Sequence, residues 1–146
     1  MGIEFTVLGN PHALKRHRMF RHRNQLIAVD PSKADKNVFE VISRQHAPQK
    51  PFDCPLRVDM QFFFSRPKNH YGTGKNSQVL KSTAPNFHIS RPDIDNCQKF
   101  VLDALNGVFW ADDSIVCEST IRKMYDCRPR TEIVITLLTS EAEKLF

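Results

Sequence analysis

Several things are scarce in this sequence, and each scarcity closes off a class of function. The four cysteines, Cys54, Cys97, Cys117 and Cys127, form no C-x-x-C pair. Their spacing offers neither a zinc site nor a disulfide framework, so they read as small hydrophobes in a reducing cytosol. No apolar run approaches the about eighteen residues of a membrane span. Met1-Gly2-Ile3-Glu4 does not open a signal peptide. The expected location is the cytoplasm, with no membrane partner. Gly72-Thr73-Gly74-Lys75 lacks the spacing and the strand-to-helix context of a phosphate loop, so no nucleotide cofactor is expected. No internal repeat is present. Acid is missing over two long stretches, between Glu4 and Asp30 and from Ser65 to Arg91.

What is present is one domain's worth of chain. The 146 residues are 40% apolar and 25% charged, ordinary for a globular protein with a real core. A single domain over 1–146 is expected. The net charge of +5 is compatible with a polyanionic partner.

Ile3 to Leu8 alternates Ile3, Phe5 and Val7 against Glu4 and Thr6, which predicts a half-buried strand. Gly9-Asn10-Pro11 is a turn. A basic stretch follows, carrying Lys15, Arg16, Arg18, Arg21 and Arg23. Such a run is usually a solvated face. Arginine forks nonetheless suit phosphate, and these residues are candidates for contact with a DNA backbone. Gln25 to Val29 predicts a strand forming a hairpin or ribbon with the basic stretch. Ser32 is placed to cap a helix whose apolar face is Ala34, Val38, Val41 and Ile42, packed on a sheet. Three prolines make Ala47 to Pro55 a loop. Leu56 to Phe64 alternates most clearly of all, with Leu56, Val58, Met60, Phe62 and Phe64 on one face.

Residues 65–91 show no lasting periodicity and carry Arg66, Lys68, Lys75, Lys81 and Arg91. Loops this long in compact domains are functional or disordered. A mobile basic clamp on DNA is one reading, with His70, Tyr71, Phe87 and His88 available to stack on bases. A plain hydrophilic insertion is the other.

The chain is organised around Arg91-Pro92-Asp93-Ile94-Asp95-Asn96-Cys97-Gln98-Lys99. From Asp95 to Leu105 the apolar residues are Cys97, Phe100, Val101, Ala104 and Leu105, the i, i+3, i+4 pattern of a half-buried helix. Asp95, Lys99 and Asp103 form a ladder on the opposite face. Leu102, apolar on that face, marks a candidate subunit contact. Asn106-Gly107 ends the helix, and the chain returns through Val108-Phe109-Trp110 to Asp112-Asp113. A well-capped helix with solvated charges explains Asp95 as a cap and Asp103 as surface. It explains Asp93 and the Asp112-Asp113 pair less well. Two carboxylates at 4 Å repel by roughly 4 kcal/mol at an effective dielectric of 20. A hard cation such as Mg²⁺ relieves that cost. Residue types alone leave the cap and the metal site both open.

Beyond this, Ile115 to Met124 and Thr131 to Leu138 predict strands around a turn, and Ser140 to Phe146 a short helical tail. The element order implies an α+β fold, a mixed β-sheet with helices packed on one face.

The D-x-D-N-x-x-K element, followed by Val108-Phe109-Trp110-Ala111-Asp112-Asp113, resembles the signature of the RusA Holliday-junction resolvases. The strong match covers about Arg91 to Leu138. The N-terminal half matches only in layout. Those enzymes are small homodimeric, Mg²⁺-dependent endonucleases, often encoded by phages and prophages. The resemblance implies a RusA-like homodimer that cuts four-way DNA junctions by paired symmetric nicks, in a bacterial or phage-infected cell. It implies that Asp93, Asp95 and Asp113 bind Mg²⁺, with Mn²⁺ an alternative ion. Asp112 is a further candidate ligand, and Lys99 assists catalysis. Two alternatives stand beside it: a less selective metal-dependent nuclease on branched DNA, and a structure-specific DNA-binding protein without catalysis. An RNA-binding module would need an aromatic sheet face, and Phe62 and Phe64 are better explained as core.

Overall fold

The computed structural model describes residues 2–138. The tail predicted over Ser140 to Phe146 lies outside them. Strand β1 (Gly2–Leu8) is followed by a hairpin of β2 (Arg18–His22) and β3 (Gln25–Val29), then helix α1 (Lys33–Ser43). Strand β4 (Leu56–Phe64), helix α2 (Ile94–Leu105), β5 (Val116–Glu118), β6 (Ile121–Tyr125) and β7 (Arg130–Leu137) complete the chain.

The main sheet has β4 at its heart. On one side β4 pairs antiparallel with β7, which pairs antiparallel with β1. On the other side β4 pairs parallel with β5 and then β6. The fold is therefore α+β with a mixed sheet, as expected. The single strand expected over Ile115 to Met124 is two strands. Ser119 and Thr120 interrupt it, because the Ser119 hydroxyl donates to the Val58 carbonyl (2.7 Å) and the Thr120 N–H to Asp59 (3.0 Å). The chain from β4 through α2 to β5 is a parallel crossover, which carries α2 across one face of the sheet.

That face is the core. Phe5, Val7, Leu56, Val58, Met60, Phe62, Phe64, Ile133 and Ile135 point into it, and alternation along each strand delivers them there. Helix α2 meets them with all five predicted residues, Cys97, Phe100, Val101, Ala104 and Leu105. At roughly 25 cal/mol per Å² of apolar surface, fully burying a side chain such as Phe100 stabilises by about 1.5–3 kcal/mol. The opposite sheet face is mostly polar, except for Phe63, which lies 3.9 Å beneath the Arg130 guanidinium.

Helix α1 packs differently from its sequence expectation. Phe39 and Ser43 are its buried residues, with Phe39 edge-on to Phe100. Ala34, Val38, Val41 and Ile42 face solvent. Helical periodicity reported a real stripe, but Phe39 beside it filled the space over the sheet. Ser32 sits at the N-cap position without capping; its hydroxyl accepts the Lys15 N–H instead (2.8 Å). Leu102 is half-buried and packs partly against the core. All four cysteines are free. Cys97 alone is a buried hydrophobe, while Cys117 and Cys127 are exposed thiols.

Candidate active site

Helix α2 begins at the edge of the core face. Asp93 occupies its N-cap position with extended backbone (φ −69°, ψ 150°), yet its carboxylate makes no capping bond. Asp95 lies in the first turn. Its one partner among the described residues is Lys99, 3.7 Å away and one turn on, with both side chains 61% exposed. An exposed pair of this kind stabilises by a few tenths of a kcal/mol. Capping therefore does not explain either carboxylate, and their oxygens remain available.

The segment in front of Asp93 is held from below. Lys123 of β6 pairs with Phe62 of β4, so it shares the face that buries Phe62. Its ammonium donates to the carbonyls of Pro92 (2.6 Å) and Ser90 (2.7 Å) and lies 3.2 Å from His88 Nδ1. The Arg91–Pro92 bond is cis. On the other side, the Leu14 N–H donates to the Asn96 carbonyl (2.9 Å). A cavity of about 500 Å³ opens here, lined by His12, Lys15, Arg91, Asp93 and Asn96 among others.

Asp113 arrives from the far end of α2. The helix stops at Asn106, and Gly107 takes a left-handed φ of +80°, which lets the chain turn back. Phe52 then bonds the Phe109 carbonyl and the Ala111 N–H (2.9 Å each), which fixes the return segment. Trp110 is wholly buried and donates its indole N–H to Asp113 Oδ1 (2.8 Å). Asp112 caps the short turn Asp113–Ile115 by accepting the Ser114 N–H (3.1 Å). So Trp110 and Asp112 together orient Asp113, one by direct bond and one by fixing its backbone.

The electrostatics mark Asp113 out. Partial burial pushes its carboxyl above the usual range; the Trp110 bond opposes this, while the charges of Asp103 and Asp112 add to it. Bonds from Ser114 hold Asp112 below that range. Burial raises the Cys97 thiol to about 11, opposed by Lys123 and reinforced by Asp95 and Asp93. That thiol is no nucleophile at neutral pH. Asp103 is not idle surface, because Lys36 of α1 bridges it to Asp30.

A carboxylate with a raised folded pKa stabilises the fold only while protonated. That contribution is complete below the unfolded pKa and is lost as pH rises through the folded one. Asp113→Asn should therefore raise the metal-free melting temperature at pH 7, since Asn still accepts from Trp110. The gain should shrink as pH falls into the carboxylate range. Calorimetry at pH 7 and pH 4 checks this, and equal melting temperatures at pH 7 would contradict it.

The structure thus brings Asp93, Asp95 and Lys99 to one helix start, and Asp103 and Asp112 within electrostatic reach of Asp113. Among the described residues, no three His, Cys, Asp or Glu side chains converge on one point, so Asp113 does not join Asp93 and Asp95 in a preformed ligand set. The donors nonetheless fit a hard cation. They are carboxylate oxygens, unused by capping at Asp93 and Asp95.

The basic candidates divide. Lys15, Arg16, Arg18, Arg21 and Arg23 lie on and below the β2–β3 hairpin. Lys68, Lys75 and Lys81 are exposed on the second basic segment. Arg91 lines the cavities on both sides of Asp93. Arg66 instead binds the Pro85 carbonyl (2.7 Å) and sits over Tyr125. The stacking role expected for His70 and His88 does not hold. Both are buried, His88 stacked on Phe64 and His70 edge-on to Tyr125. Residues 65–91 have a defined course, rooted by hydrogen bonds from His88 to Lys123 and from Tyr125 to Asn86. Sequence reading missed Lys123. The signal was there, since Ile121 and Tyr125 set an inward alternation that places a lysine on a core-facing position.

Comparison with known proteins agrees with this layout. The family model for endodeoxyribonuclease RusA matches residues 9–136. An uncharacterized protein YqaN of Bacillus subtilis (strain 168) is 31% identical over 140 residues, spanning 91% of this chain and 94% of that protein.

Proposed function

The chain belongs to the RusA endodeoxyribonuclease family, and on that premise we propose that it resolves four-way DNA junctions by paired symmetric nicking with Mg²⁺. The observation that supports this most is the start of α2, where Asp93 and Asp95 are spared from capping and face solvent beside Lys99 and Arg91. Asp93, Asp95 and Asp113 would hold the ion, with Mn²⁺ an alternative. Bound there, Mg²⁺ supplies Lewis acidity toward the phosphate and a nucleophilic water at neutral pH. The protein's own groups do the positioning. Arg91 and Lys15 line the cavity beside Asp93 and offer cationic donors to a phosphodiester. Lys99 places a charge one turn beyond Asp95, where it stabilises negative charge developing on phosphate. Asp112 serves as the cap that presents Asp113.

Cutting a two-fold junction symmetrically needs two such sites, and a symmetric homodimer provides them. The exposed stripe of Val38, Val41 and Ile42, continued by Leu8, is apolar surface of the kind a subunit contact covers. Light scattering at micromolar concentration should give a dimer, and Val38→Glu with Val41→Glu should give a folded monomer. A wild-type monomer, with and without junction DNA, would contradict the dimer.

The test of the activity is a panel of labelled junction, fork, duplex and structured RNA, with and without Mg²⁺. Paired symmetric nicks in the junction are expected. Equal cutting of forks and flaps would favour a less selective nuclease, and binding without cutting would leave a DNA-binding protein.

A further inference from the structure

Among the described residues, the β2–β3 ribbon has no partner outside itself. It is five residues long on each strand, about 17 Å at 3.4 Å per residue. All its ladder bonds are internal. No hydrogen bond or ion pair among the described residues joins residues 18–29 to the rest of the chain. A lone two-stranded hairpin is marginal in water. This one nonetheless leaves apolar residues in the open: Leu26 is 67% exposed, Met19 59% and Phe20 48%. Its turn, Arg23-Asn24, has positive φ at both positions, the geometry that matches the twist of paired strands.

Two features identify what covers it. The first is charge. Lys15, Arg16, Arg18, Arg21 and Arg23 lie on or just below the ribbon, with no acid between Glu4 and Asp30. Two such arms repel each other, whereas a polyanion neutralises them. The second is the root. Lys15 is tied to Ser32 across the base of the excursion, and Leu14 is tied to Asn96 in the first turns of α2. The ribbon therefore rises from the wall of the Asp93 cavity. A strand whose phosphate entered that cavity would have the ribbon beside it.

Resting on the branched-DNA reading above, we infer that the ribbon is a wedge. Met19, Phe20 and Leu26 enter the open centre of a DNA branch and cover unstacked base faces, while Arg18, Arg21 and Arg23 hold the flanking phosphates. Apolar side chains enter intact duplex only by unstacking a base step, at a cost of a few kcal/mol. At a branch the stacking is already interrupted, so the same contact costs less. The ribbon would thus favour branched over linear DNA without reading sequence.

The variant Met19→Thr/Phe20→Thr/Leu26→Thr tests this, since threonine retains strand preference and removes the apolar surface. Binding is measured in Ca²⁺ to junction and to duplex of the same arms, with 2-aminopurine beside the branch. Wild-type protein should bind the junction more tightly and brighten the probe. The variant should keep its duplex affinity and salt slope, which reports that the arginines are still presented. Its junction preference should fall about tenfold to a hundredfold, with the brightening lost. Retained preference and brightening would overturn the wedge. So would a parallel loss of duplex and junction binding, which makes the ribbon a phosphate clamp only. A monomeric variant beside a dimeric wild type would make it a subunit contact instead. If wild-type protein itself shows no preference for the junction, the branched-DNA reading has failed and not merely the wedge.

Discussion

Asp95→Asn should fold, bind branched DNA at least as tightly as the unaltered protein, and cut it at least on the order of a hundredfold more slowly. Folding is spared because the lost interaction, the exposed pair with Lys99 at 3.7 Å, contributes little. Asp95 lies inside the first turn and is not the N-cap residue, so its change to Asn leaves the start of helix α2 as it is. Binding is spared or improved because one carboxylate facing phosphate has gone. With Asp95 a ligand, as proposed, cutting should suffer because a hard cation needs the charge that the amide lacks. Losing an outer-shell partner of a metal ligand already costs 10–100-fold, so losing a ligand costs more. Junction binding in Ca²⁺ beside cleavage in Mg²⁺ separates the two effects. A fully active variant would return Asp95 to a solvated first-turn residue.

Lys123→Met is expected to have the next largest effect, although Lys123 touches no substrate. Three acceptors surround its ammonium, and two are carbonyls of the segment that ends at Asp93. Removing the ammonium leaves the part-buried Pro92 carbonyl unpaired, at about 1–3 kcal/mol, and the exposed Ser90 carbonyl to water. The Pro92 turn then loses its anchor, and the carboxylate that follows it shifts. A misplacement of about 1 Å can cost on the order of a hundredfold in rate. The expected signature is a tenfold to hundredfold lower kcat and a Mg²⁺ midpoint moved to higher concentration, with duplex affinity unchanged. A variant that merely melts earlier but titrates with Mg²⁺ as before would reduce Lys123 to a packing residue.

Much of this architecture could be read from the residues. The alternation in β1 and β4 and the helical spacing of α2 named residues that prove buried, Ile3 only partly so, because one period and one buried face coincide there. Helix α1 shows where that logic stops. Its stripe of Val38, Val41 and Ile42 has the right period, but periodicity says only that a face is apolar, not what lies against it. Phe39, off the stripe, packs on Phe100 and turns the stripe outward. Histidine identity was equally ambiguous. His70 and His88 lie in a basic, aperiodic segment that reads as solvent, yet Tyr125 and Phe64 draw them in. At the site, the D-x-D and D-D elements were legible as chemistry. What holds them was not, since Trp110, Phe52 and Lys123 act through contacts between residues distant in sequence.

The central claim is that two of these sites act together on one branched DNA. A supercoiled plasmid that extrudes a cruciform tests it most directly. Two nicks made within the lifetime of one complex convert the plasmid to a linear product. A single nick releases the supercoiling, collapses the cruciform and leaves an open circle that is no longer a substrate. With Mg²⁺ the account predicts linear product from the first turnovers, and none from Asp95→Asn. Open circle accumulating alone would contradict it.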